Sequence, residues 1–372
     1  MNWLREHRTS LARLGIGAGV FGAVIFVVIF VNLYQERKAT EAMIASRHAA
    51  EQATGENIGG QSAAAQEQED TSQLFAQQTV TWEGKTYRRN TYMKAILCMG
   101  VDRTDSMTES KEGGQAGQAD SMFLAAWDTA RRQLKILMIP RDTMTYLTPV
   151  SWDGTIREEE YDHITLAFSY GDGAKGSCEN TVKEVSELLK ALPIDHYMAA
   201  DLSTINLLND AVGGVTVTIP SGMEQADPEF IEGSQITLKG NQAERFVRYR
   251  DTTQDHSALY RTFRGQEYMT GFFKSVQNMS KTDSQTVPRL FEMIEDYMIT
   301  DMGKDQYLGI GADALTGDLT SEDFYVLPGS AVVTETYDEY HADEKGMTEV
   351  LLNLFYRESE SDESVTVRGT DY

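Results

Sequence analysis

Five arginines and no lysine lie within one twenty-residue stretch of a chain whose formal net charge is -24. Arginine presents a planar fork of donors that grips a phosphate or a carboxylate at two points, and it tolerates partial burial better than lysine. The stretch therefore predicts a site for a multivalent anion. The alternative is a helix whose arginines pair with neighbouring acids. The five residues are Arg245, Arg248, Arg250, Arg261 and Arg264.

The spacing of these arginines predicts how they are presented. A helix is expected to begin near Gly240, and Arg248 and Arg250 project to the same side once the chain becomes extended. Arg261 and Arg264 stand three positions apart, so they share one flank of the next predicted helix. Four of the five guanidinium groups can therefore be grouped in pairs.

A second constellation pairs an acid with another arginine. Two apolar runs on either side of a polar turn predict a β-hairpin. If Asp128 faces Gln133 across the turn, the same register sets Asp120 opposite Arg141 at the open end of the hairpin. A simple cross-strand salt bridge and a functional pair both remain open. The two runs are Met122–Trp127 and Leu134–Ile139.

Acidic residues at strand ends suggest a metal. The apolar run Ala95–Met99 predicts a buried strand that delivers Asp102 into a glycine-containing loop. Asp102 and Asp120 together offer the hard oxygen ligands that Mg²⁺ prefers. The proline after the second hairpin strand cannot continue the ladder, so Arg141 and Asp142 are expected at the edge of the sheet.

The remaining pattern predicts the fold class. Apolar residues at helical spacing follow Cys178, a second helix is expected over Asp201–Val212, and a strand follows Gly213 and Gly214. Alternating helices and strands of this kind predict a three-layer α/β/α domain with a central mixed sheet.

The first residues predict a membrane anchor. Residues 14–33 contain no charge and have the length of a transmembrane helix. Arginines precede this segment, and acidic residues offset the basic residues that follow it. Residues 1–13 are therefore expected in the cytoplasm, residues 14–33 in the cell membrane as a single pass, and the residues after them outside the cytoplasm. A cleaved signal peptide is the alternative. Residues 34–78 predict an extracytoplasmic stalk, and residues 358–372 predict a charged tail. Residues 79–357 predict a globular domain, which opens with a strand, a turn at Glu83 and Gly84 and a second strand.

Composition excludes several classes. The chain has two cysteines, Cys98 and Cys178, which predict either one disulfide or two buried thiols. Two cysteines and six scattered histidines do not form the closely spaced ligand set of a zinc site. The strong negative charge disfavours nucleic acid as a partner.

Seven ordered segments between residues 93 and 275 resemble the LytR-CpsA-Psr family. Members of that family are extracytoplasmic phosphotransferases that move a glycopolymer from a polyprenyl pyrophosphate carrier to peptidoglycan, usually at the muramic acid 6-hydroxyl. The resemblance implies that the arginines hold a lipid-linked pyrophosphate at a membrane. The segments are LCMGVD, QADSMFL, ILMIPRDT, PIDHYMAADL, AVGGVTVTIP, LKGNQAERFVRYR and YRTFRGQEYM.

The resemblance also implies roles for single residues. Asp102 and Asp120 correspond to ligands of Mg²⁺, with Mn²⁺ as an alternative ion, and Asp142 is a candidate general base by proximity alone. Arg141 and Arg248 are the expected catalytic arginines. The expected pyrophosphate-binding residues are Arg141, Arg248, Arg250, Arg261, Arg264, Arg103 and Gln266.

Departures from the family pattern concern substrate preference. Gln118 stands where an arginine is common, so one anion contact is expected either to be missing or to be supplied by Arg103. Gly265 takes the place of a frequent glutamine, and Gln266 is adjacent. The residues at 163 and 165 are histidine and threonine, where lysine and asparagine are frequent. Two other functions remain open: a polyprenyl pyrophosphatase, and a non-catalytic envelope protein that binds lipid-linked polymer in a regulatory role. The glycopolymer itself is not predicted.

Overall fold

The computed structural model describes residues 71–103, 107–109, 116–249, 257–317, 319–334 and 337–359. The side chains of residues 257–263, 266, 287, 312 and 321 lie outside this description. The predicted cytoplasmic terminus, transmembrane helix and most of the stalk and tail lie outside it too. Within the ranges just given, no helix combines the length and the apolar character needed to cross a bilayer.

The described part of the chain contains strands and helices, and seven strands precede its first α-helix. The strands are β1 (Thr79–Trp82), β2 (Lys85–Arg89), β3 (Met93–Val101), β4 (Ala119–Asp128), β5 (Gln133–Ile139), β6 (Met144–Leu147), β7 (Glu160–His163), β8 (His196–Asp201), β9 (Thr216–Thr218), β10 (Gln235–Thr237), β11 (Met298–Thr300), β12 (Phe324–Val326), β13 (Gly329–Val333), β14 (Asp338–Ala342) and β15 (Tyr356–Glu358). The helices are α1 (Lys175–Leu188), α2 (Thr204–Ala211), α3 (Gln242–Arg248), α4 (Ser257–Thr282), α5 (Thr286–Ile294), α6 (Lys304–Ala314) and α7 (Glu344–Phe355).

A six-stranded mixed sheet forms the centre of the fold, in the order β11-β8-β3-β4-β5-β12. Strand β3 runs antiparallel to β4 and parallel to β8. The predicted hairpin register is confirmed, because Asp128 faces Gln133 and Met122 faces Ile139. Long apolar runs such as that of β3 form central strands because both of their faces are covered.

Two hydrophobic clusters cover the two faces of this sheet. Ile96 and Cys98 of β3 pack into one cluster with residues of α2, α3, α4 and α5. Leu97 and Met99, which point the opposite way, pack into the other with residues of α1 and α7. The prediction of an α/β fold with a central mixed sheet is confirmed, with helices on both faces of that sheet.

Several predicted boundaries differ from the structure. Asp201 ends strand β8 and helix α2 begins only at Thr204, because residues 196–201 pair with β3. The end of the predicted stalk packs on the domain, since Phe75 is fully buried and its N–H donates to the carbonyl of Lys190 at 2.9 Å. Glu358, predicted to begin the loose tail, pairs with β2.

The strand predicted after Gly213 and Gly214 is confirmed as β9. It pairs with β10 in a separate two-stranded sheet, outside the central one. The turn predicted at Glu83 and Gly84 also joins two paired strands, β1 and β2.

The two cysteines are buried free thiols, which decides between the two predicted alternatives. Burial raises the pKa of both the Cys98 and the Cys178 thiol well above the usual value for cysteine. Neither thiol is therefore a reactive thiolate near neutral pH.

Candidate phosphate-binding site

Two strand ends bring the predicted metal-binding acids together. Strand β4 runs antiparallel to β3, so the residues before β4 lie beside the residues after β3. The backbone N–H groups of Asp102 and Asp120 both donate to the carbonyl of Gln118, each at 2.9 Å. The two carboxylates that the sequence separates by seventeen residues are therefore carried on adjoining backbone.

A glycine and a threonine hold this junction in shape. Gly117 has a φ of +81°, and a Cβ atom there would lie 2.8 Å from Cγ of Arg103. A side chain at this position would both strain the backbone and collide with its neighbour. The hydroxyl of Thr165, a buried residue, donates to the carbonyl of Ala119 at 2.9 Å. The start of β4 is thereby fixed beside the end of β3.

Arg141 follows β5 and reaches across to β4. Its Nη1 donates to a carboxylate oxygen of Asp120, as the hairpin register predicts. Its Nε donates to Asp142 at 3.2 Å, and its Nη2 donates to Oε1 of Gln118 at 3.3 Å. The side chain is 24% exposed, so the guanidinium is held by polar partners on one side and can still be reached by a ligand.

Arg248 approaches the same junction from the end of helix α3. Its Nη2 donates to Asp102 at 2.8 Å and its Nη1 to Glu244 at 3.1 Å. Glu244 is itself fixed, because its other carboxylate oxygen accepts a hydrogen bond from Asn206 of α2 at 2.8 Å. Helices α2 and α3 thus set the position of Arg248 relative to the end of β3.

The other arginines of the opening stretch have separate roles. Arg264 is buried, and its Nε donates to the carbonyl of Phe246 at 2.7 Å while its Nη2 donates to the carbonyl of Tyr249. These bonds join α4 to the end of α3, where Arg248 lies. Arg264 therefore helps to fix the backbone that carries Arg248. Arg245 instead pairs with Asp227 at 2.9 Å, which fits the alternative of pairing with acids.

Three predicted binding residues fall outside the described part of the chain. Arg250 lies in a range that the structure does not describe, as do the side chains of Arg261 and Gln266. Arg103 is described, and its Nη1 donates to the carbonyls of Thr108 at 3.2 Å and Gly173 at 3.1 Å. Arg103 therefore braces the loop beside Asp102.

The donor set of this junction fits a magnesium ion. No group of three or more acidic, histidine or cysteine side chains is placed to hold a metal among the residues that the structure describes. A protein commonly binds Mg²⁺ through one or two carboxylates and leaves the other positions to water and phosphate oxygens. Asp102 and Asp120, on adjoining backbone, match that requirement.

Sequence reasoning missed the residues that widen the site. A cleft of about 490 Å³ opens beside Arg141 and Asp142, and the side chains of Tyr337 and Asp338 line its far side. They come from the β13–β14 hairpin, almost two hundred residues later in the chain. The bridge between Thr143 and Tyr340 that brings this hairpin to β5 has no local signature in the sequence.

Comparison with known proteins places this geometry in context. A transferase of Halalkalibacterium halodurans, named polyisoprenyl-teichoic acid–peptidoglycan teichoic acid transferase TagU, is 30% identical over 156 residues, which are 42% of this chain and 44% of that protein. The chain thus spans less than half the length of this relative.

Solved structures show the same fold. A Streptococcus agalactiae protein matches with a TM-score of 0.55 and 20% identity, covering 73% of this chain and 90% of that one. A structure of TagT bound to LI-WTA matches with a TM-score of 0.50 and 19% identity, covering 71% and 90%. The model of the LytR_cpsA_psr family matches residues 52–355, which include every described strand and helix up to Phe355. The chain therefore belongs to the LytR_cpsA_psr family.

Proposed function

We propose that this protein is a membrane-anchored, extracytoplasmic phosphotransferase that moves a glycopolymer from a polyprenyl pyrophosphate carrier to peptidoglycan. Membership of the LytR_cpsA_psr family supports transfer, as does the printed name of the TagU relative. The observation that carries the proposal is a pair of ion pairs at one end of the central sheet. Arg141 contacts Asp120, and Arg248 contacts Asp102.

The arrangement supplies what phosphoryl transfer requires. Such a reaction needs positioning of the phosphates and neutralisation of the charge that develops on their oxygens. Arg141 and Arg248 approach from different elements, so their forks can grip a pyrophosphate from two sides. In the absence of phosphate, their charges are balanced by the neighbouring carboxylates. Binding of the donor exchanges those carboxylates for phosphate oxygens.

Asp102 and Asp120 would then hold Mg²⁺. The ion would neutralise negative charge on the pyrophosphate during transfer. The acceptor hydroxyl oxygen forms a bond to the phosphorus that carries the polymer, the phosphoanhydride bond to the lipid breaks, and polyprenyl phosphate leaves. The proton of the hydroxyl must be accepted by a base, and Asp142, whose carboxylate is 17% exposed beside Arg141, is the proposed one.

The full chain, purified in detergent, tests this proposal. It is incubated with a lipid-linked glycan pyrophosphate, Mg²⁺ and peptidoglycan oligomers, and the products are identified by mass spectrometry. We expect a phosphodiester-linked glycan–peptidoglycan product and free polyprenyl phosphate. Release of a glycan phosphate without coupling would indicate a pyrophosphatase. Binding of the donor without turnover would indicate a non-catalytic envelope protein.

We further propose that residues 14–33 anchor the protein in the cell membrane. The N-terminus would then lie in the cytoplasm and the domain outside the cell membrane. The support is the uncharged length of this segment and the arginines before it. Protease added to intact protoplasts should remove the domain. Protection of the domain in this experiment would contradict the topology.

A further inference from the structure

A polar cleft of about 490 Å³ continues outward from Arg141, and the proposed transfer reaction does not use most of it. Its walls include the end of β7, with Asp162 and His163, and the β13–β14 hairpin, with Thr334, Tyr337 and Asp338. This hairpin is fixed to the residue after Arg141, because the N–H of Tyr340 donates to the carbonyl of Asp142 at 2.8 Å. The cleft is therefore a constant extension of the candidate site.

An exposed tyrosine ring and a histidine ring line this cleft. Tyr337 stands at its rim, 66% exposed, with its ring edge-on to the imidazole of His163 at 5.9 Å between centroids. Tyr161 lies two positions before His163 on β7 and so shares its face of the strand. Its ring is 5.0 Å from that of Tyr146 on β6, and both are about half or more exposed. Tyr161 and Tyr146 lie outside the lining of the cleft, and the rings that line it are those of Tyr337 and His163.

His163 is held in one orientation. Its Nδ1 lies 2.8 Å from Oδ1 of Asp162, and its Nε2 lies 3.0 Å from the backbone carbonyl of Asp338. These contacts join the end of β7 to the β13–β14 hairpin across the cleft. The rings of Tyr337 and His163 are therefore presented by a fixed surface.

The charge of the lining decides what kind of molecule fits. Carboxylates of Asp142, Asp162 and Asp338 line the cleft, against one guanidinium, that of Arg141. A polyanion would be repelled by this surface. A neutral oligosaccharide would not, and its apolar ring faces can lie on tyrosine rings while its hydroxyl and amide groups bond to the carboxylates.

We propose that this cleft is the subsite for the acceptor glycan: an uncharged β-1,4-linked N-acetylated oligosaccharide lies along Tyr337 and His163 and points one hydroxyl at Arg141. This inference rests on the proposed function, since an acceptor is needed only if the protein transfers its glycopolymer. It assigns the phosphate-rich donor to the arginine junction and the acceptor to the acidic, aromatic cleft.

The test measures the dissociation constant of a short β-1,4-linked N-acetylglucosamine oligosaccharide by calorimetry, with the full chain in detergent. We expect the constant to rise about tenfold in Tyr337→Ala, the loss of one ring contact. Tyr337→Phe retains the ring and should bind as the unmodified protein does. Tyr92→Ala, which removes another exposed tyrosine before the first residue of β3, is the matched control. Inorganic pyrophosphate should bind all four proteins equally.

Two results would overturn the inference: no binding of the oligosaccharide by the unmodified protein, or equal binding by Tyr337→Ala. Poly(glycerol phosphate) is the second probe, and Tyr337-dependent binding of that polyanion would assign the cleft to the donor and overturn it as well. Failure of the proposed function is distinguishable, because the oligosaccharide would then bind in a Tyr337-dependent way while no lipid-linked pyrophosphate is turned over.

Discussion

Acidic residues occupy both ends of the central sheet, but they bind different groups there. At the end where β3 begins, two carboxylates hold backbone and each also pairs with a neighbouring cation. Asp195 accepts a hydrogen bond from the N–H of Ala95 at 2.8 Å. Asp128 accepts bonds from the N–H groups of Ala130 and Arg131, each at 2.9 Å, in the turn that joins β4 to β5. These acids fix the path of the chain.

At the end where β3 finishes, the acids of the candidate site hold side chains. Asp102 accepts from Arg248 and Asp120 accepts from Arg141, and each arginine also reaches a second carboxylate. A guanidinium can leave a carboxylate for a phosphate without unfolding a turn, whereas a backbone N–H cannot. The comparison teaches that acids bound to arginine side chains at one end of the sheet are exchangeable, whereas acids bound to backbone N–H groups at the other end are structural.

The largest effect is expected from Arg141→Ala. Loss of a donor that stabilises the developing charge should lower the transfer rate by about 10³-fold. Arg131→Ala at the other end of the sheet is the matched control, since Arg131 also pairs with an aspartate but is 65% exposed. Its rate should be unchanged. Steady-state transfer assays measure both, and similar rates for the two variants would contradict the contrast between the two ends.

Arg248→Lys should lower transfer by about 10²-fold although the positive charge is kept. An ammonium group cannot reproduce the two-point contact of a guanidinium with phosphate. Thermal unfolding should show a folded protein, because the side chain is 36% exposed. A near-normal rate would place Arg248 outside the site, and the phosphate-binding role would then fall to Arg141.

Asp102→Asn and Asp120→Asn test whether the two acids serve one ion. Each should weaken transfer at low Mg²⁺ by about tenfold or more, with recovery as the Mg²⁺ concentration rises. The double variant should lose hardly more than the worse single variant, because residues that serve one ion are not additive. Rates measured against Mg²⁺ concentration for all three decide this.

The contrary result for these acids is equally specific. If Asp120 is only the partner of Arg141, transfer by Asp120→Asn keeps its dependence on Mg²⁺ and the loss is seen in the melting temperature. The metal would then have to be assigned elsewhere, and the proposal would rest on the arginines alone.

The features that could be predicted from sequence depend on local periodicity. The hairpin register follows from one turn, so the contact of Asp120 with Arg141 was predictable. The role of Arg264 was not, because its helix spacing is the same whether the guanidinium faces a ligand or, as observed, two backbone carbonyls of the preceding segment. Burial separates these possibilities, and burial is set by tertiary packing.

Features that depend on distant segments were missed for the same reason. Phe75 lies in a polar segment of the sequence that predicts a stalk, but in the structure its backbone N–H donates to the carbonyl of Lys190. Tyr337 belongs to a short hairpin, and contacts with distant residues, such as the pairing of Thr143 with Tyr340, bring that hairpin to the candidate site. Neither contact leaves a periodic pattern in the chain.

The smallest effect on activity is expected from Asp128→Ala, which sharpens the comparison from its structural end. Asp128 is 4% exposed and accepts two backbone N–H bonds, so its loss should lower the free energy of unfolding by about 1–2 kcal/mol. Asp128→Asn retains an acceptor oxygen, so its free energy of unfolding should fall by less. Transfer, measured well below the melting temperature, should be unchanged in both. A slower rate without loss of stability would mean that the acids at this end also act on the substrate, and the division between the two ends would fail.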